Sequence, residues 1–182
     1  MTSILIFLGA LAMAADPVDI LTPDRAWTTV HDTVMGGVSQ GRVTPLDDAG
    51  AVRFTGTVSL ENNGGFASSR TVPAPLSLEG IDAFRIEVQG EKGATWSFTV
   101  RRDDLRIRGG SWRVQFQTTG ERQVVEFPLA DFEAVSMGRR LPDAPPLTDA
   151  PQHIDSVGFL IGNKQAGAYE LKVHRIAGVS RR

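Results

Sequence analysis

A chain of 182 residues has the length of one domain with a sizeable core and is short for two. Its 41 % hydrophobic and 22 % charged residues describe a globular chain rather than a disordered one, and a formal net charge of -2 lacks the basic surplus of a nucleic-acid binder. With no cysteine, disulfides, thiolate catalysis, Cys-ligated zinc, iron–sulfur clusters and the lipid-bearing cysteine of a lipoprotein anchor are all excluded.

The chain begins with an apolar run from Ile4 to Ala15. It is too short to span a bilayer as a helix and has the length of a signal-peptide h-region. Ala12-Met13-Ala14 matches an A-x-A cleavage pattern, and Asp16-Pro17 then breaks any helix. Residues 1–14 are therefore expected to be a signal peptide cleaved after Ala14. Residues 15–182 would then be a periplasmic or secreted domain with no stable membrane span.

Beyond the leader, hydropathy alternates with period two, as in antiparallel strands with one face buried and one wet. The alternating runs are Val52–Val58, Phe84–Val88, Trp96–Val100, Trp112–Phe116, Val125–Phe127, Val157–Ile161 and Tyr169–Val173. Gly90-Glu91-Lys92-Gly93 and Thr118-Thr119-Gly120-Glu121 read as hairpin connections. The Pro-rich stretch Met137 to Pro151 has no pattern and reads as a long loop. No long segment has helical periodicity. Many short strands with regular turns predict an all-β domain, a β-sandwich or jelly roll. Arg101, Arg102, Arg106, Arg108 and Arg113 form a basic cluster interrupted by Asp103 and Asp104, read as a solvated strand-and-turn surface.

Several motifs imitate active sites. Gly37-Val38-Ser39-Gln40-Gly41 spells the nucleophile elbow of α/β-hydrolases, which needs a helix after the serine. Arg42-Val43-Thr44-Pro45 is a poor helix, and nothing local marks Asp155 and His174 as triad partners. The alternative is a turn in which Ser39 hydrogen-bonds its own backbone. His31, His153 and His174 have no zinc-motif spacing. His31-Asp32 would ligate a metal only if other ligands converged on it. Asp47-Asp48 is a weak calcium pair and more simply a solvated turn. Gly162 to Gly167 includes Lys164 but lacks P-loop order, and no dinucleotide fingerprint occurs. The expectation is no catalytic residue, no metal and no cofactor.

Two glycine-rich segments carry more information: Trp27 to Ser39, with Gly36-Gly37, and Phe54 to Arg70, with Gly64-Gly65. Paired glycines let backbone approach another surface closely. Asp32 is placed to accept from amides across the first turn. Arg70 is placed to pair with Asp32 or Glu61, or to offer its fork to a ligand. These segments either close one end of the sandwich or form a binding rim. Asp32, Gly36, Gly37, Ser39, Gly64, Gly65, Phe66, Ser68 and Arg70 are expected to meet at one end as a partner- or ligand-binding site.

Asp32-x-x-Met35-Gly36-Gly37-x-Ser39, Phe54-x-Gly56-x-Val58-Ser59 and Asn63-Gly64-Gly65-Phe66-Ala67-Ser68-x-Arg70 also carry a resemblance. So do Phe127-Pro128-Leu129-x-x-Phe132, Ile154-x-x-Val157-Gly158-Phe159-Leu160-Ile161, Lys164-Gln165-x-Gly167 and Tyr169-x-Leu171. In this order they resemble the complex I intermediate-associated protein 30 family, from about Trp27 to Ile176. The resemblance implies a galactose-binding-like jelly roll. It also implies a non-catalytic protein-binding role, that of an assembly factor or chaperone for NADH:ubiquinone oxidoreductase, with respiratory complex I subunits as partners. That role belongs to the matrix side of the mitochondrial membrane, which corresponds to the bacterial cytoplasm, whereas the leader predicts export. The alternative is an exported carbohydrate-binding module of the cell envelope. Trp27, Trp96, Trp112 and Tyr169 exposed together would favour sugar; buried, they favour protein binding at the rim. Alternation places Trp96 and Trp112 on the buried face.

Overall fold

Side chains that alternate in character along a strand can bury one face only if a second sheet covers it, and the chain folds accordingly. The computed structural model describes residues 16–47 and 49–180. The expected leader and its cleavage point, and Asp48 of the acidic pair, lie outside the described residues. Strands β1 (Val18–Asp19), β3 (Gln40–Pro45), β4 (Val52–Val58), β6 (Ala83–Gly90), β9 (Gln123–Pro128) and β13 (Gly167–Val179) form one sheet, in the order β3-β4-β13-β6-β9 with β1 also on β13. Strands β2 (Trp27–His31), β5 (Ala67–Thr71), β7 (Thr95–Arg102), β8 (Gly110–Gln117), β10 (Glu133–Ser136), β11 (Arg139–Arg140) and β12 (Ile154–Ile161) form the other, in the order β11-β10-β8-β7-β12-β5-β2. Every pairing is antiparallel. The helical elements among the described residues are short 3-10 turns, and no helix there is long and apolar enough to cross a membrane.

All seven alternating runs lie in strands, and their apolar faces meet in the interior. Phe98 of β7 sits at the centre, its ring 5.3 Å from Phe84, 5.3 Å from Phe159 and 5.9 Å from Phe127. Phe84 and Phe127 come from one sheet, Phe98 and Phe159 from the other, so the aromatic cluster joins the layers. Such ring pairs contribute about 1 kcal/mol each beyond area burial. Trp96, Trp112 and Tyr169 are buried. Trp27 is half-buried and packs edge-on against Phe54, with centroids 5.0 Å apart.

The two expected hairpin connections are different structures. Residues 90–93 lead from β6 to β7 and residues 118–121 from β8 to β9, so each crosses between sheets. Tight-turn composition marks a reversal but not which layer receives the next strand. The two crossings pair with each other: Gly93 N–H donates to Thr118 O at 2.7 Å, and Gly120 N–H to Gly90 O at 3.1 Å. The Pro-rich stretch 137–151 holds β11 and packs on the core through Leu147, which is fully buried. It closes over Trp112, whose indole N–H donates to Pro145 O at 3.1 Å.

Candidate functional site

The two glycine-rich segments meet at one end of the sandwich, around a single carboxylate. After β2, a 3-10 turn over Asp32–Met35 ends at Gly36, whose φ of 91° is a left-handed conformation suited to glycine. After β4, a second turn over Glu61–Asn63 leads through Gly64, and through Gly65 at φ 135°, into β5. Asp32 lies between them, fully buried. Its Oδ1 accepts from the Ser39 N–H at 2.9 Å. Its Oδ2 accepts from the Ser39 hydroxyl at 2.5 Å, the Gly65 N–H at 2.7 Å and the Phe66 N–H at 3.3 Å. Ser39 Oγ in turn accepts from the Ser59 N–H at 3.0 Å. A Cβ on Gly37 would stand 2.4 Å from Asp32 Cγ, and one on Gly64 would stand 2.7 Å from Asp32 Oδ2. Both positions need glycine because the backbone wraps the carboxylate closely.

Burial alone would raise the Asp32 carboxyl. The Ser39 hydroxyl and the Gly65, Ser39 and Phe66 amides outweigh it and hold the group below the usual carboxylate value. The ion is therefore a fixed buried anchor satisfied by surrounding donors, as a buried charge must be.

Above this anchor the same loops display apolar side chains: Val34 (71 % exposed), Met35 (62 %), Val38 (41 %) and Leu60 (45 %). A turn pinned from below that presents several aliphatic groups is organised like a contact surface. The sequence reading missed these four; their signal was the placing of aliphatic residues inside Gly- and Asn-rich turns where no strand alternation accounts for them.

Of the expected site residues, Asp32, Gly36, Gly37, Ser39, Gly64, Gly65 and Phe66 come together at this rim. Ser68 and Arg70 follow along β5. The Ser68 hydroxyl donates to Val30 O at 2.5 Å. Arg70 forms no ion pair with Asp32 or Glu61; it stands on the outer face of the second sheet, near Arg101 and Arg106.

The hydrolase-like motif has no elbow geometry. Ser39 is fully buried and is followed by strand β3. Asp155 is held by Arg106 at 2.6 Å. Asp47 Oδ1 accepts from Ala49 and Ala51 N–H groups, closing a turn. His153 meets Asp103 at 2.8 Å, and these two with Asp104 form a group of metal-type donors. Asp104 is already bound by Arg102 at 2.5 Å.

The family model for complex I intermediate-associated protein 30 (CIA30) matches residues 19–173. The chain belongs to the CIA30 family. The match takes in both glycine-rich segments and all the strands except Val18 of β1 and the end of β13. No curated protein matches the sequence. Among solved structures, the fold of this CIA30 member is similar to a family 11 carbohydrate-binding module from Clostridium thermocellum, solved with a β-1,3-1,4-mixed-linked tetrasaccharide. The TM-score is 0.68 at 12 % identity, covering 93 % of this chain and 97 % of that one. The family 11 module of the cellulosomal cellulase Lic26A-Cel5E of Clostridium thermocellum gives 0.63 at 10 % identity, covering 92 % and 97 %. A family 30 carbohydrate-binding module gives 0.55 at 11 %, covering 91 % and 100 %. At such identities the likeness is one of fold: an all-β sandwich of two antiparallel sheets shared with carbohydrate-binding modules.

Proposed function

We propose that this protein is a non-catalytic protein-binding module of assembly-factor or chaperone type, acting through the glycine-rich rim. The observation that carries the reading is the pairing of a buried, fully bonded Asp32 with the exposed Val34, Met35, Val38 and Leu60 above it. Loop backbone tied down before binding loses less conformational entropy on association. Membership of the CIA30 family supports a protein partner. Burial of Trp96, Trp112 and Tyr169 removes three of the four aromatic platforms that a sugar-binding face would use. The apolar leader supports export, which puts the domain on the periplasmic or outer side.

The second reading, a carbohydrate-binding module of the cell envelope, is favoured by one local feature. A groove of about 460 Å³ beside β2 and β3 is lined by Trp27, Arg25, Pro23 and Pro45. A half-buried indole beside polar groups is a surface on which a sugar ring stacks.

Crosslinked capture with the tagged full-length protein from its own cells, with mass spectrometry of both partner and bait, separates the readings. A partner protein captured by the wild type and lost with Met35→Glu and Leu60→Glu is the expected result, with affinity falling roughly tenfold to hundredfold. Capture of glycan-linked material, dependent on Trp27 and insensitive to the rim variants, would overturn it. The N-terminal peptide of the bait is expected to begin at Ala15.

A further inference from the structure

The outer face of the second sheet carries a feature that the rim does not explain. In β7, Trp96, Phe98 and Val100 point inward, so Ser97, Thr99 and Arg101 point outward. Register then sets a row across the sheet: Thr28, Arg70, Gly158, Thr99, Arg113 and Glu133 stand opposite one another in turn. Arg101 lies two residues along β7 from Thr99 in that row, and Arg106 reaches it from the following loop. A Cβ on Gly158 would stand 2.7 Å from Arg70 Cβ, so the glycine makes room for the arginine beside it. Arg106 pairs with Asp155 at 2.6 Å. Arg70, Arg101 and Arg113 have no carboxylate at ion-pair distance among the described residues, although exposed arginines elsewhere, such as Arg85 and Arg122, do.

This is an unfavourable arrangement for an isolated protein. Burial, then the charges of Arg70, Arg113 and Arg106, push Arg101 down to about 10, with Asp155 the opposing influence. Burial and Arg106 lower Arg70 in the same way. In a chain of net charge -2, half-buried like charges are gathered on one face without a carboxylate at ion-pair distance among the described residues; Arg113 Nε–H donates only to the neutral Ser111 hydroxyl, at 3.1 Å. A groove of about 480 Å³ continues from Arg113 past Ser97, Gln115 and Glu133 to Arg140.

We infer that the outer face of the second sheet is a docking surface for an extended acidic segment of a partner protein, its carboxylates seated on Arg70, Arg101 and Arg113. The inference rests on the protein-binding reading and names a second contact for it. Arginine forks match carboxylates in two-point geometry. Arg70 on β5 and Arg113 on β8 are three strand spacings apart, about 14 Å, the separation of same-side residues i and i+4 in an extended chain. A sugar polymer is the less suitable occupant, because among the described residues the only aromatic side chain on this face is Phe66, half-buried at its rim end.

The test measures binding of a fluorescent oligoglutamate to the full-length protein, with oligogalacturonate as a second probe. The triple variant Arg70→Gln, Arg101→Gln, Arg113→Gln is expected to bind oligoglutamate roughly hundredfold more weakly. Arg85→Gln with Arg122→Gln, on the opposite sheet, is expected to bind as the wild type does. Wild-type binding is expected to weaken steeply with salt, a readout that stands even if the triple variant fails to fold. Salt-independent binding, equal binding by a folded triple variant, or a preference for oligogalacturonate would each overturn the inference. Oligoglutamate binding is also measured with Met35→Glu and Leu60→Glu, which leave this face intact. If rim-dependent partner capture persists while oligoglutamate fails to bind, the docking surface is wrong and the protein-binding reading stands. If oligoglutamate depends on the arginines while no partner depends on the rim, the reverse holds.

Discussion

Asp32 shows how one buried residue organises two loops. Four hydrogen bonds from Ser39, Gly65 and Phe66 tie together loops that are more than thirty positions apart in the chain. Replacing the carboxylate by Asn substitutes an NH2 group where a donor points, and is expected to cost about 2 kcal/mol; loss of rim-dependent capture would accompany it. The pH dependence follows from the sign of the shift. The folded-state pKa lies below the unfolded one, so the contribution is full above the ordinary carboxylate value near 4 and is lost as pH falls through the folded value. Urea midpoints measured from neutral pH down through 4 should therefore fall more steeply for the wild type than for Asp32→Asn. Equal slopes would mean that the anchor is not ionised in the fold. The sequence pointed to Asp32 as an acceptor of backbone amides because a short carboxylate before a Gly pair has few other roles. It did not show that Ser39 is spent on the same knot, since that contact depends on a chain reversal that local pattern does not encode.

Among the elements, β3, β4 and β13 show what alternation conveys and what it omits. The run in β4 was readable because Phe54 and Val58 repeat with period two. Strands β2 and β3 were not, because polar and small residues occupy both faces at the edges of their sheets; β5, one strand in from an edge, was not because its inward residues Ala67, Ser69 and Thr71 are small or polar. In their place lies a close contact. Gly41 and Gly56 are opposed across β3 and β4, and Tyr169 stands opposite Gly56 on β13. A Cβ on Gly56 would fall 2.1 Å from Gln40 O and 2.6 Å from the Tyr169 hydroxyl. The tyrosine covers backbone that the glycines leave bare, and its burial pushes the phenol up to about 12. It is the chain's single tyrosine, so ultraviolet titration reports it alone. Ionisation is expected near 12 in the wild type and nearer the ordinary value of about 10 in Gly56→Ala, where the added methyl displaces the ring. Because the folded pKa is the higher, the associated stability is present below about 10 and is lost as pH rises toward 12. A wild-type phenol titrating at its ordinary value would show that the ring does not cover the glycine pair.

For the whole molecule, the aromatic cluster joining the two sheets was legible from the alternating strands, while the pairing of strand β1 with β13 was not, since two residues carry no period. Val18 and Asp19 lie opposite Gly178 and Ala177, Asp19 bridges to Arg175 at 2.5 Å, and Ile20 is fully buried behind them. A chain starting at Ala15 is expected to unfold at the same urea concentration as the full-length protein. One starting at Leu21 loses the strand and the Ile20 side chain and is expected to be less stable by about 3 kcal/mol. Equal midpoints for the two would make the strand dispensable. The same pairing has a geometric consequence. In an antiparallel ladder, the backbone before Val18 and the backbone after Val179 leave side by side, at the end of β13 that lies farthest from Gly167. Gly167 lies opposite Val58, immediately below the rim, and the thirteen residues of β13 rise about 40 Å between the two ends. A tether joined to the backbone just before Val18 or just after Val179 would hold the sheet at its foot, with the four exposed apolar side chains of the rim at the other end.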